Sequence, residues 1–148
     1  MHRVLLTLLG LGFTLQIQAF PCFITLVKDN CWTDYNVTLT LTDARAVKTI
    51  ATITALQGKT WDRVAFECQP AEAISLKAAF TPVFWEADLG KVYPTRHDWL
   101  LPEAIAKGDT AWNIPLCFPA DFAEVPLPPN VSGNCKCDMD KVPAIKPQ

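Results

Sequence analysis

Between Asn36 and Thr42 the chain alternates strictly, with Val37, Leu39 and Leu41 on one side and Asn36, Thr38, Thr40 and Thr42 on the other. Period-two alternation with β-branched threonines predicts a strand that rests one face on a core and leaves the other in water. Arg63 to Cys68 repeats the pattern through Val64, Phe66 and Cys68, and Ile74, Leu76, Ala78 and Phe80 extend it over the next segment. Phe23 to Val27 differs, being a compact apolar run between Cys22 and the polar Lys28, Asp29 and Asn30. Its length suits a buried strand that opens the fold. Val47 to Leu56 is rich in β-branched residues and predicts a further strand, with a helix from an Asp43 cap to a Gly58 stop as the alternative.

Further along, Val83 to Glu86 predicts a short aromatic strand, and Asp88 to Gly90 a turn that returns the chain as a hairpin through Val92 and Tyr93. Pro102 to Lys107, with proline at a first helical position and Gly108 just past the end, predicts a short helix. Trp112 to Phe118 alternates again, and Pro115 assigns that strand to a sheet edge because proline cannot donate to a ladder. After Phe118 the composition shifts to proline, small and acidic residues. Short strands at close spacing with turns between them predict an all-β fold, an antiparallel β-sandwich with immunoglobulin-like topology as one arrangement in that class.

Ahead of these elements stand His2, Arg3 and an apolar run from Val4 to Leu15. A membrane helix needs about 20 apolar residues, so this shorter run reads as a signal peptide with cleavage after the small residue Ala19. The expected organisation is a signal peptide over 1–19, a β-sandwich domain over 20–122 and an extended proline-rich tail over 123–148, packed on the domain. No second apolar stretch predicts a membrane span in the mature chain. With 13 basic against 15 acidic residues and no cationic run, the net charge of −2 argues against nucleic acid as a partner.

Export gives the six cysteines an oxidising environment, so Cys22, Cys31, Cys68, Cys117, Cys135 and Cys137 are expected as disulfides, in fifteen conceivable pairings. The favoured arrangement ties the tail cysteines to Cys22 and Cys31 and leaves Cys68 for Cys117. Parity counts against that last pair: Cys68 faces inward with Phe66, whereas Cys117 faces opposite to Ile114 and Leu116. A thiol redox centre lacks the usual two-residue spacing at a helix start. A metal site built on Cys135, Cys137, Asp138 and Asp140 lacks ligands, His97 being the one histidine beyond the leader.

Catalytic parts are sparse. Ser75 lies inside a predicted strand and Ser132 in the tail, neither in a nucleophile elbow, and His97 beside Asp98 is the nearest approach to a general base. Glu67, Glu72, Glu86, Asp88, Glu103 and Asp121 leave open a carboxylate pair for glycoside hydrolysis. No catalytic residue, metal ligand or cofactor is therefore assigned. Five tryptophans are many for this length, and exposed rings anchor sugars or protein partners. Trp85 and Trp99 flank the segment from Glu86 to Asp98, which reads as a presented loop, so Trp85, Tyr93, Arg96, His97 and Trp99 are the candidate binding residues.

The segments Cys22 to Trp32 and Thr110 to Phe122 give the chain a layout that resembles small periplasmic or secreted proteins of intracellular Gram-negative bacteria with no assigned activity. That resemblance implies export into a bacterial envelope and transfers no site residue. In a eukaryotic source, Asn36-Val-Thr38 and Asn130-Val-Ser132 would be glycosylation acceptors. The expected function is an exported, non-enzymatic binding module for a protein or glycan partner, periplasmic or secreted. The alternatives are a small secreted hydrolase using carboxylates and a periplasmic inhibitor or chaperone-like factor that could add a strand at the Trp112 to Phe118 edge.

Overall fold

A computed structural model describes residues 19–131 and 133–146, so the expected leader up to residue 18 and Ser132 lie outside the described residues. Among the described residues eight strands form: β1 (Phe20–Lys28), β2 (Asn36–Asp43), β3 (Thr49–Ala55), β4 (Trp61–Cys68), β5 (Ala73–Thr81), β6 (Tyr93–Pro94), β7 (Trp99–Leu100) and β8 (Trp112–Phe118). They make two sheets, one ordered β4-β1-β8 and the other β3-β2-β5-β6, with β7 paired to β5 beside β6. Both sheets point apolar side chains into one core: Cys22, Ile24, Leu26, Ile114, Leu116 and Phe118 from the first, and Val37, Leu39, Leu41, Ile74, Leu76 and Phe80 from the second.

The alternating segments become strands with one wet face, as their pattern requires. In β2, Val37, Leu39 and Leu41 are fully buried while the threonines between them stay partly accessible. β1 behaves differently because it is the middle strand of its sheet and is covered on both faces. Its outward Phe23, Thr25 and Val27 are buried, as are its inward Ile24 and Leu26. A strand covered twice needs no polar alternation, which is the physical meaning of the continuous apolar run.

Burial extends to the strand's last residue, Lys28, and past it to Asp29, both expected to mark a polar boundary. The Lys28 ammonium donates to Tyr35 O at 2.7 Å and Leu56 O at 2.9 Å, tying the end of β1 to the entry of β2 and the exit of β3. Removal from water pulls the lysine pKa below its ordinary range, partly offset by attraction to Asp34.

Three expectations need correction. β8 is an edge strand, but it runs parallel to β1, with Ile24 opposite Ile114 and Leu26 opposite Leu116, so the first sheet is mixed rather than antiparallel. Pro102 to Lys107 forms no helix; six residues offer too few intrahelical bonds to meet the cost of nucleation, and Ala104 to Lys107 are all exposed. Val83 to Glu86 forms no strand, and the chain instead makes a 3-10 turn over Glu86–Asp88.

The disulfides also differ from the favoured set. They are Cys22–Cys68, Cys31–Cys135 and Cys117–Cys137, with Cα separations of 5.8, 5.4 and 5.9 Å. Cys31 does reach a tail cysteine, but Cys22 and Cys68 pair with each other and Cys117 pairs with the tail. The register explains the first change: Phe20 lies opposite Cys68 and Cys22 opposite Phe66, so both sulfurs meet diagonally on the inner face of neighbouring strands. Cys117 points outward, as its parity indicated, and is met there by the C-terminal segment. Three such bridges are typical of oxidising, non-cytoplasmic compartments.

Replacing both Cys22 and Cys68 by alanine removes a cross-link spanning 46 residues. Urea unfolding should show a loss of about 2–4 kcal/mol. The same loss is expected for Cys117 with Cys137, whereas Cys68 with Cys117 should cost more than either, because it breaks two bridges at once.

Candidate functional site

The segment between β5 and β6 is fixed at both ends and apolar at its crest. Phe84 turns inward, its ring 4.8 Å from Phe80, 5.2 Å from Tyr35 and 5.6 Å from the buried Trp32. At the other end Tyr93 stacks on the same Phe80 at 5.7 Å and pairs with Ala78. Both anchors thus close on one ring, and aromatic pairs at these separations add packing energy beyond their buried area.

Between the anchors the backbone is held by its own bonds. Asp88 N donates to Trp85 O, Leu89 N to Glu86 O and Lys91 N to Asp88 O, and the Lys91 ammonium pairs with the Asp88 carboxylate. That partner raises the Lys91 pKa. Trp85 and Leu89 stand 66% exposed and Val92 55%. Three large apolar side chains are therefore held in water on a short, cross-braced loop.

The five candidate residues do not converge. Trp85 lies beyond the Thr81 end of β5, while Trp99 pairs with Ile74 near its opposite end. At about 3.3 Å per residue the two ends of β5 are more than about 20 Å apart. Tyr93 is buried, and burial raises its phenol pKa, so it is a clamp rather than a contact residue. Arg96 is drawn toward the segment after β8: its N donates to Asp121 O and its Nε to Ala120 O at 3.1 Å. His97 lies 5.4 Å from the half-buried Trp99 and its Nδ1 is 3.1 Å from Asp98 O, giving a second, smaller surface.

Leu89 and Val92 were not singled out in the sequence, and no periodic signal marks them. Their exposure follows from the clamp, which depends on Phe80 meeting Phe84 and Tyr93 in space.

The polar clusters have structural partners. Asp43, Glu67 and Glu72 line grooves at the β4–β5 end. However, Asp43 Oδ1 accepts from Arg45 N and Ala46 N, which lowers its pKa, and Glu72 Oε2 accepts from Gln69 N. A lowered carboxyl is shifted opposite to what a general acid requires. Asp121 Oδ2 is occupied by Cys117 N at 2.7 Å. Asp29, Cys31 and Cys135 bring three ligand-type atoms together, yet the two sulfurs are bonded to each other and hold no thiolate for a metal.

Asp29 itself is buried, and loss of water raises its pKa despite bonds from the backbone N–H groups of Cys31 and Trp32. Comparison with family models, curated proteins and solved structures found no match to this chain.

A carboxyl whose pKa is higher folded than unfolded binds more protons in the folded state between the two values. Asp29 therefore subtracts stability as pH rises through that window. Asp29→Asn keeps an oxygen for the Cys31 N–H and removes the charge. Its stability relative to the parent should be greater at neutral pH than in acid, as read from urea midpoints at both.

Proposed function

We propose that the chain is an exported, non-enzymatic binding module, periplasmic or secreted, that engages a protein or glycan partner through the loop between β5 and β6. The observation that carries this reading is the clamped crest of Trp85, Leu89 and Val92. A rigid aromatic anchor ringed by smaller apolar groups loses little conformational entropy on binding. Export is supported by the leader pattern and the three bridges, and a bacterial envelope by the resemblance of the Cys22 to Trp32 and Thr110 to Phe122 segments. The two sheets on one core support a β-sandwich; an immunoglobulin-like strand order is supported by that layering alone, and nothing in the binding reading depends on it.

A second reading, an inhibitor or chaperone-like factor that captures an extended strand, is favoured by β3. That edge strand, Thr49–Ala55, carries no charge, proline or glycine. The other edges are guarded: β4 by Asp62, Arg63 and Glu67, β8 by Pro115, and β6 and β7 by their two-residue length. Strand addition on this reading belongs to β3 instead of β8.

Cross-linking the native protein in its envelope or medium should trap one partner. Trp85→Ala with Leu89→Ala should reduce that capture at least about tenfold, the loss of one good anchor, with an unchanged circular dichroism spectrum. Undiminished capture by this variant, together with loss in Thr52→Lys with Thr54→Lys, would transfer the function to the β3 edge.

A further inference from the structure

The outer face of the three-stranded sheet carries a hydrogen-bonded row that crosses all three strands. Arg63 of β4 donates from Nε to Thr25 Oγ1 of β1 at 2.8 Å, and the Thr25 hydroxyl donates to Asn113 Oδ1 of β8 at 2.8 Å. The direction of this row is fixed chemically. Arginine can only donate, so the threonine oxygen accepts from it and its one hydrogen goes onward to an acceptor, which must be the oxygen of the Asn113 amide. The Asn113 NH2 is thereby turned away from Thr25, and the terminal nitrogens of Arg63 remain as donors. Thr25 is 2% exposed, so the pivot of the row is shielded from water. The guanidinium also lies 5.6 Å from the centre of the Trp61 ring, which steadies its plane.

Over this row passes the C-terminal segment. Met139 and the stretch from Val142 to Ile145, with Pro115, form the apolar wall of a groove of about 470 Å3 whose floor includes Thr25, Arg63 and Asn113. The groove thus offers a hydrocarbon wall on one side and donors with a positive charge on the other. Among the described residues Arg63 makes no ion pair. Mostly apolar concavities of this size with a few convergent polar groups are the usual form of small-molecule sites.

We propose that this groove binds a small monocarboxylate with an apolar body. Its carboxylate lies against the Arg63 guanidinium and the Asn113 NH2, and its hydrocarbon runs along Val142 to Ile145 and Pro115. Charge complementarity selects this occupant. A neutral apolar molecule leaves the donors without an acceptor, and a cation meets Arg63. The site is separate from the clamped loop, and its failure leaves that reading untouched.

Octanoate is a suitable probe and octanol its uncharged control, each titrated into the intact, oxidised protein. Octanoate should give saturable NMR shifts centred on the Asn113 side-chain amide, the Arg63 Nε–H and the Ile145 methyls, and octanol should not saturate. Arg63→Met should weaken octanoate binding at least about tenfold, the scale of one charge-assisted pair, with a smaller loss for Asn113→Ala. Should Arg63→Met fail to fold, Ile145→Trp, which fills the groove from its apolar side, should abolish the shifts in a folded protein. The proposal is overturned by absence of saturable shifts at millimolar octanoate, by equal binding of octanol, or by shifts that persist unchanged in the folded variants.

Discussion

Covering β1 on both faces is the constraint on which the rest of this structure depends. A central strand gains its inner cover from the facing sheet, but its outer cover must come from elsewhere, and here it comes from the end of the chain. Cys137 bonds Cys117 on the outer side of β8, Cys135 bonds Cys31 just past β1, and Lys136 N donates to Asn30 Oδ1 at 2.8 Å. These links hold the segment from Cys137 to Ile145 on the outer side of β1, with Cys137 beside Val27 and the stretch from Met139 to Ile145 beside Thr25. Two bridges fix the outer cover, and the third, Cys22–Cys68, lies within the inner core.

The same constraint explains where polar groups are tolerated near β1. Thr25 is acceptable in a twice-covered strand because its hydroxyl is saturated by Arg63 and Asn113. Lys28 is acceptable because two backbone carbonyls receive its ammonium, and Asp29 because backbone N–H groups face its carboxylate. Each of these residues also crosses a boundary: Thr25 links three strands, Lys28 joins the ends of β1 and β3, and Asp29 shapes the turn that carries Cys31. For Thr25 the satisfied partners make burial cheap, whereas Lys28 and Asp29 keep a desolvation cost that shows in their shifted pKa values, and all three tie the chain to one arrangement.

How much of this was legible in the sequence follows from the range of each interaction. β2, β4, β5 and β8 were readable because alternation is local, and β1 was readable as buried because its apolar run is continuous. The parallel partnership of β1 with β8 was not readable, since it joins residues about 90 positions apart through side chains with no mutual signature. Among the disulfides, Cys31 does reach the tail, but the partners of Cys22, Cys68 and Cys117 depend on strand register, which the chain does not display, although parity already pointed away from Cys68 with Cys117. Exposure of Trp85 was correctly expected from its place beside a turn, but the grouping with Trp99 assumed that nearness in sequence would become nearness in space. The short pairings of Tyr93 and Trp99 along β5 keep them apart.

Two kinds of surface result from one architecture. At the β5–β6 side the core residue Phe80 grips both ends of a loop, so the packing of Phe84 and Tyr93 against it is what keeps Trp85, Leu89 and Val92 in water. On the outer face of the other sheet the covering segment does not seal completely against the polar row, because an apolar strap cannot satisfy the donors of Arg63 and Asn113. Thr25 is itself covered and joins those two side chains across β1, so the open donors belong to its neighbours on β4 and β8. The residue that most interrupts the apolar run is therefore the one around which the groove is built, and the interruption costs the fold little because its hydroxyl both gives and receives a bond.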